Sequence, residues 1–150
     1  MTSFPASADR DSLLTARIAW GLASAGTLPF LAGLADTMFW DGALTGHIQI
    51  YAAVIASFLC GMHWGVALLA PRAPPVPLLL GSNVAALAAW AAALAPASIG
   101  FLLFAALFAA LAAIDHFLHR AGTWPVWFWR LRLTISAIVV ATCLLIGIVT

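Results

Sequence analysis

The sequence predicts an all-α integral membrane protein, a helical bundle of five transmembrane helices. Three observations predict this class: 65% of the 150 residues are hydrophobic, only 7% are charged, and the mean hydropathy is +1.09. A soluble domain carries about 25% charged residues, and this chain contains no lysine and no glutamate. It therefore has too few polar side chains to cover a water-facing surface.

Five apolar segments of the chain are long enough to cross a bilayer, because a hydrocarbon core of about 30 Å requires roughly 20 residues per helix. Proline, glycine and charged residues separate these segments, as expected for connections between helices. A short lead, residues 1–17, precedes a single transmembrane domain, residues 18–150. The predicted spans cover residues 18–35, 46–70, 77–95, 98–118 and 131–149.

Prolines mark two further features of these spans. The third and fourth spans are separated only by Pro96 and its small neighbours, and together they are too long for one crossing. We therefore expect a helical hairpin there. Pro29 predicts a kink near the outer end of the first span. A cleaved signal peptide is the alternative interpretation of the first span, but its apolar run is longer than the usual length of about 7–15 residues.

The arginines predict which way the chain crosses the membrane. All six lie before the first span, between spans two and three, or around the connection between spans four and five. Positively charged residues stay on the cytoplasmic side, so we expect the N-terminus inside and the C-terminus outside. In a bacterium this places a multi-pass protein in the cytoplasmic (inner) membrane. Amphipathic residues at the predicted span ends are expected to anchor the helices at the interface: Trp40, Trp124, Trp127, Trp129 and Arg130.

Small residues predict where helices pack closely. Lipid provides no hydrophobic force between helices, so their association depends on close backbone contact at glycine and alanine. Gly61 and Gly65 form a small-xxx-small pair in the second span, and Gly21 and Ala25 form another in the first. We expect these four residues to mediate helix packing, within the bundle or between copies of the chain.

Four polar residues are predicted to lie at a similar depth. Counting about 1.5 Å per residue from the span ends places His63, Asn83, Asp115 and Arg132 in the inner third of the membrane, each on a different helix. Ionisable side chains in a membrane are costly and normally face the bundle interior or a wet cavity. We therefore expect the four to face one another, with Asp115 paired to Arg132.

Two interpretations of this polar cluster stay open. In the first, the cluster is an interhelical clamp that fixes the packing. In the second, it lines a site for a quinone headgroup, an anion or a proton path. A metal or haem site is disfavoured, because Asp115 and His119 share a helical face but no glutamate and no second matching pair accompany them. We predict no metal, no cofactor and no nucleic-acid partner, and contact with lipid, quinone or pigment stays open.

Three stretches, taken together, carry a family resemblance: GTLPF at residues 26–30, YAAVIASFLCGMHWGVAL at residues 51–68 and WPVWFWRLRLTISAIVV at residues 124–140. With Asp115 between the last two, the chain resembles a domain family of unknown function made up of small integral membrane proteins. The family occurs in proteobacteria and includes the human mitochondrial transmembrane protein sixty-nine. The resemblance covers residues 21–140. One departure is SNVAALAAW in the third span, which lacks the proline expected there, so this helix should be straighter.

The resemblance implies a protein of the bacterial inner membrane or its mitochondrial descendant, and it implies no catalytic residues. It matches the chain at His63, Trp64, Asp115, Arg130 and Arg132.

The sequence also lacks the signatures of soluble enzymes, with no glycine-rich phosphate loop and no nucleophile elbow. Small size and little extramembrane chain favour a non-catalytic accessory or assembly subunit of an energy-transducing membrane complex. Such a subunit would contact membrane lipid and other membrane-protein subunits, or associate with itself. The alternative is a small ligand-, quinone- or proton-handling membrane protein that uses the polar cluster.

Overall fold

A computed structural model describes residues 6–150, with side chains from Ser12 onward. The described residues form six helices and no strand, which confirms the predicted all-α class. The helices are α1 (Ala6–Ala25), α2 (Leu28–Phe39), α3 (Thr45–Leu69), α4 (Pro75–Leu94), α5 (Ala97–Arg120) and α6 (Val126–Val149).

Five helical segments of the described chain are long and apolar enough to cross a membrane. The first, Ser12–Phe39, comprises most of α1 and all of α2, and the other four coincide with α3 to α6. The chain is therefore a multi-pass membrane protein with the number of spans that the sequence predicts. The direction in which the spans cross the membrane stays a prediction.

The first span is longer than predicted, and it is broken rather than kinked. It covers Ser12–Phe39 instead of residues 18–35, and its helix stops after Ala25 and resumes at Leu28. Pro29 lies in the first turn of α2. A proline is well accommodated there, because the first N–H groups of a helix have no partner within the helix. The break therefore falls just before the proline.

Two side chains of α3 satisfy backbone carbonyl groups of other helices. The hydroxyl of Tyr51 donates to the carbonyl of Gly26 at 3.0 Å, at the break between α1 and α2. The amide Nε2 of Gln49 donates to the carbonyl groups of Ala92 and Ala95, both at 2.8 Å. Carbonyl groups at the end of a helix lack a partner inside that helix. These bonds therefore hold α3 against the broken span and against the end of α4.

Helix α5 lies at the centre of the bundle, packed against α3, α4 and α6. Its aromatic side chains fill the core, where Phe101, Phe104 and Phe108 are at most 2% exposed. The chain turns sharply at Pro96 between α4 and α5, in the hairpin that the sequence predicts. Helix α2 packs against α3 and α6, whereas α1 lies at the periphery and packs mainly against α6.

Close helix packing occurs at glycines other than those predicted. A Cβ atom at Gly100 would lie 2.7 Å from the carbonyl oxygen of Ala92, and one at Gly147 would lie 3.0 Å from the carbonyl oxygen of Ser98. Both distances are shorter than ordinary van der Waals contact, so a larger residue would have to displace backbone. These two glycines bring α5 against α4 and α6.

The predicted packing residues lie on open helix faces. In the described part of the chain, a Cβ atom at Gly21, Gly61 or Gly65 would meet no neighbouring helix within 4 Å, and Ala25 is exposed. The prediction that these four residues pack the bundle is therefore wrong. Gly21 and Ala25 share one face of α1, and Gly61 and Gly65 share one face of α3. Both faces are turned away from the other helices. Contact of these faces with another chain stays a prediction.

We predict that Gly100→Ala and Gly147→Ala destabilise the bundle, whereas Gly61→Ala does not. Forcing an extra methyl group into a filled contact costs about 1–3 kcal/mol, while the face around Gly61 has room for it. Thermal unfolding of the purified protein in a mild detergent measures the difference. An equal loss of stability in Gly61→Ala would show that the pair in the second span packs within the bundle.

Candidate functional site

Three of the four predicted cluster residues meet inside the bundle. His63 lies six residues before the end of α3, Asp115 five residues before the end of α5, and Arg132 six residues after the start of α6. At about 1.5 Å per residue, each lies roughly 8–9 Å from the same end of the bundle. The depths agree because α3 and α5 end where α6 begins.

The Asp115 carboxylate joins the other two side chains, and we call the three residues the polar bridge. Its Oδ1 accepts a hydrogen bond from Nε2 of His63 at 3.0 Å, and its Oδ2 accepts one from Nε of Arg132 at 2.8 Å. His63 is 0%, Asp115 1% and Arg132 8% exposed. Charge-assisted hydrogen bonds of this length are stronger than neutral ones. The polar bridge therefore ties α3, α5 and α6 together.

His63 uses one of its two ring nitrogens in the polar bridge. The ionised carboxylate of Asp115 only accepts, so Nε2 of His63 donates. Within the described chain, Nδ1 is buried without a hydrogen-bond partner. The opposite charges of Asp115 and Arg132 are directly paired at 2.8 Å.

The guanidinium of Arg132 has donors that the polar bridge does not use. Of the five N–H groups of an arginine, the one on Nε goes to Asp115. Nη2 is buried and has no hydrogen-bond partner among the described residues. A buried donor without a partner costs about 1–3 kcal/mol, and more in a charged group. Because Nη2 is enclosed by the bundle, an acceptor from another molecule would have to bind the part of the Arg132 side chain that stays accessible, since the residue is 8% exposed.

Asn83 does not belong to the polar bridge, so its predicted place in the cluster is wrong. It is exposed, and its Nδ2 donates to the carbonyl of Leu79 in its own helix at 2.7 Å. The preceding residue, Ser82, is the buried one, at 2% exposed, and its hydroxyl bonds the same carbonyl. Neighbouring helical positions differ by about 100° in direction, so correct depth alone did not place Asn83 inside.

An apolar cavity of about 400 Å³ lies beside the polar bridge, between α1, α2, α3 and α6. Arg132 is one of its lining residues, and every other lining residue among the described side chains is apolar. Sites for small organic ligands measure about 300–1,000 Å³ and are mostly apolar with a few polar groups. The cavity thus has the composition suited to an amphiphile, with hydrocarbon walls and one cationic hydrogen-bond donor.

The cavity opens on the side of the bundle. Phe30 on its wall is fully buried, whereas Leu22 and Phe58, which also line it, are each 70% exposed. Along α6 the lining extends from Phe128 to Val139, about 16 Å at 1.5 Å per residue. This length is about half of the hydrocarbon thickness of a bilayer.

A separate aromatic contact lies near the same end of the bundle. Gly122, with φ of 73°, allows the chain to turn at the end of α5. After this turn, Nδ1 of His119 donates to the carbonyl of Trp124 at 3.1 Å, and the His119 ring stacks on Trp129 with 4.5 Å between ring centroids. His119 therefore lies on the same helix as Asp115 but contacts different partners.

The predicted interface anchors fall into two groups. Trp40 and Trp127 are 71% and 38% exposed, and Arg130 is also exposed. Trp124 and Trp129 are half-buried in the contact with His119. The role of these five residues at a membrane interface stays a prediction.

Sequence reasoning missed Gln49 and the cavity. An amide in an apolar span signals an internal hydrogen bond, because lipid offers it no partner, and this signal could have identified Gln49. The cavity has no comparable signal. Its apolar lining comes from four helices, and residues such as Ile135 and Met62 look in sequence like any lipid-facing residue.

One comparison with known proteins identifies a family. A family model described as "Protein of unknown function (DUF3429)" matches residues 15–149, a range that includes all three residues of the polar bridge. No curated protein and no solved structure matches the chain. The match covers nearly the whole chain, from within α1 to the end of α6. This membrane-spanning helical bundle therefore belongs to the DUF3429 family of proteins of unknown function.

Proposed function

We propose that the protein is a non-catalytic binding protein of the membrane, which holds an amphiphilic molecule in the cavity beside Arg132. The observation that carries this proposal is a cationic side chain, Arg132, on the wall of a cavity whose other described lining residues are apolar. The hydrocarbon part of the molecule would lie against the apolar walls. Its acceptor atom would bind the guanidinium, which fixes its orientation.

The polar bridge supports this function by holding Arg132 in place. An arginine side chain is long and loses rotamer freedom when it is fixed, at a cost of about 1.5–2 kcal/mol. Here Nε is already bonded to Asp115, and Asp115 is held from the other side by His63. The guanidinium is therefore pre-organised before a ligand arrives, which reduces the cost of binding. In this proposal the clamp and the ligand site are one structure.

We also propose that the end of the bundle nearest the polar bridge faces the cytoplasm, in the inner membrane of a bacterium. Arg72, Arg120 and Arg130 all lie at this end, in or beside the connections between helices. Arginine is retained on the cytoplasmic side of membranes. The acceptor group of the bound molecule would then lie in the inner leaflet, with its hydrocarbon part directed towards the bilayer centre.

Filling the cavity should remove the bound molecule. We predict that the wild-type protein, purified from native membranes in a mild detergent, retains an amphiphile in stoichiometric amount. Ile135→Trp should reduce the retained amount at least about tenfold, which corresponds to 1.4 kcal/mol, because the indole occupies the cavity that Ile135 lines. Mass spectrometry of an organic extract of the purified protein measures the retained amount.

The matched control for this experiment is Ile138→Trp. It makes the same substitution on the same helix, at an exposed residue that does not line the cavity. This variant should retain as much of the amphiphile as the wild type. The proposal fails if the wild type retains no specific molecule, or if Ile135→Trp retains as much as Ile138→Trp.

Removing one partner of the Asp115–Arg132 ion pair should lower the free energy of unfolding more than removing both partners. We predict that Asp115→Leu or Arg132→Met alone destabilises the protein by about 3–5 kcal/mol, since each leaves a buried charge unpaired. The double variant removes both charges and should recover part of that loss, while the buried N–H of His63 still lacks the acceptor that Asp115 supplied. Its retained amphiphile should nevertheless be lost, because no donor remains in the cavity. Thermal unfolding and the extraction assay give the two readouts.

The two readouts distinguish a clamp from a ligand site. If the double variant is stable and still retains the amphiphile, Arg132 is not the donor. If the double variant is no more stable than Asp115→Leu alone, the polar bridge does not act as a charge pair in the fold.

A second candidate function is that of an accessory or assembly subunit of an energy-transducing membrane complex. The observation that favours it is the open row of small residues on α3, where Ser57 and Gly61 are exposed and Gly65 has no neighbouring helix near it in the described chain. Small residues at a spacing of four let a partner helix approach closely. This row would receive a helix of another subunit.

For this second candidate, we predict that a tagged copy expressed at native level co-purifies with other membrane subunits in stoichiometric amount. Gly61→Leu should remove those subunits while leaving the thermal stability of the isolated protein unchanged, since a Cβ at Gly61 meets no neighbour within 4 Å in the described chain. Gly46→Leu, at another exposed glycine of α3, is the control and should keep them. Mass spectrometry of gently solubilised membranes measures both, and recovery of a lone protein contradicts this function.

A further inference from the structure

We infer that the ligand of the cavity is an uncharged amphiphile whose acceptor is a carbonyl oxygen, as in an ester or a quinone, rather than an anion or an alcohol. The inference rests on the proposed function and names the ligand class for the same site. Three observations carry it: the charge balance of the polar bridge, the kind of hydrogen-bonding groups in the cavity, and the position of Arg132 along it.

The charge balance disfavours an anion. Arg132 is already paired with Asp115 at 2.8 Å, so its positive charge is compensated before a ligand binds. From Ser12 onward, where side chains are described, no lining residue other than Arg132 is charged. A carboxylate or phosphate in the cavity would therefore bring an uncompensated negative charge into an apolar region, close to the carboxylate of Asp115. Both desolvation and like-charge repulsion oppose the charged form.

The hydrogen-bonding groups disfavour an alcohol. A guanidinium only donates, so the ligand atom that it binds must accept. A hydroxyl oxygen accepts, but the hydroxyl group also brings a donor, and no other lining residue with a described side chain offers a polar group to receive it. A buried donor without an acceptor is costly. A carbonyl oxygen accepts without adding a donor, so it leaves no new group unsatisfied.

The position of Arg132 determines how the ligand is oriented along the cavity. The lining along α6 runs from Phe128 to Val139, and Arg132 lies one helical turn from the first of these. The carbonyl would bind near one end of the cavity, and the hydrocarbon part would extend past Ile135 towards the middle of the membrane. Such a ligand has its acceptor at one end and a chain at the other.

A matched series of ligands tests the inference. Methyl tetradecanoate, tetradecanoate and tetradecanol have the same chain length but present a neutral ester, an anion and a hydroxyl. Each is added to the purified, delipidated protein at a pH well above the pKa of a free fatty acid, and binding is measured by native mass spectrometry. A decyl-substituted benzoquinone is measured in parallel, so that an ester preference is distinguished from a quinone preference.

We expect the ester, the quinone or both to bind at least about tenfold more tightly than tetradecanoate and tetradecanol. This preference should disappear in the charge-neutral double variant, Asp115→Leu with Arg132→Met, and persist in Ile138→Trp. A preference that survives in the double variant overturns the inference, because Arg132 is then not its source. Tetradecanoate or tetradecanol binding as tightly as the neutral carbonyl compounds also overturns it.

The proposed function and the inference fail in distinguishable ways. If the wild type binds none of the four compounds and retains no amphiphile from native membranes, the proposed function itself is wrong. If it binds tetradecanoate most tightly, and Ile135→Trp abolishes that binding, the cavity is a ligand site and only the ligand class is wrong.

Discussion

The arrangement of this bundle depends on one carboxylate held between two nitrogen donors in an apolar interior. Asp115 could not be buried at 1% exposure in a membrane protein without partners for both oxygens, because an isolated charge in hydrocarbon is too costly. His63 and Arg132 supply those partners from α3 and α6. These two hydrogen bonds fix the rotation of α3, α5 and α6 about their own axes, and they also fix the relative depth of the three helices. Apolar packing alone specifies such rotations weakly, since lipid competes equally for apolar faces.

A second constraint acts at the opposite end of the bundle. Gln49 binds the carbonyl groups where α4 ends, and Gly100 lets α5 approach the same turn at a distance that a larger residue would prevent. The two ends are thus held by different chemistry: a charged network at one, and a neutral amide with close backbone contact at the other. Between the two ends lies the aromatic core of α5, whose side chains need no hydrogen-bond partners. Each helix from α3 to α6 is held near at least one end by a polar or close backbone contact.

The sequence was sufficient for the number of spans and for the three residues of the polar bridge, because both follow from counting along a regular helix. Depth is a linear quantity, and His63, Asp115 and Arg132 have matching depths. Counting residues does not give the direction in which a side chain points from the helix axis. The sequence therefore predicted Asn83 inside the bundle, whereas the structure buries its neighbour Ser82. The same limit applies to Gly61 and Gly65, whose spacing defines a face without saying what that face meets. The cavity depends on how α1 lies against α6, which no local pattern encodes.

The side of the bundle on which the cavity opens determines how an occupant would reach it. Leu22 and Phe58 at the opening are largely exposed. In a bilayer this surface contacts lipid acyl chains rather than water. A molecule would enter by lateral diffusion in the membrane, without crossing an aqueous phase. Its occupancy would then follow its mole fraction in the lipid and not its solubility in water. Two compounds with the same intrinsic affinity would compete in proportion to how strongly each partitions into the membrane.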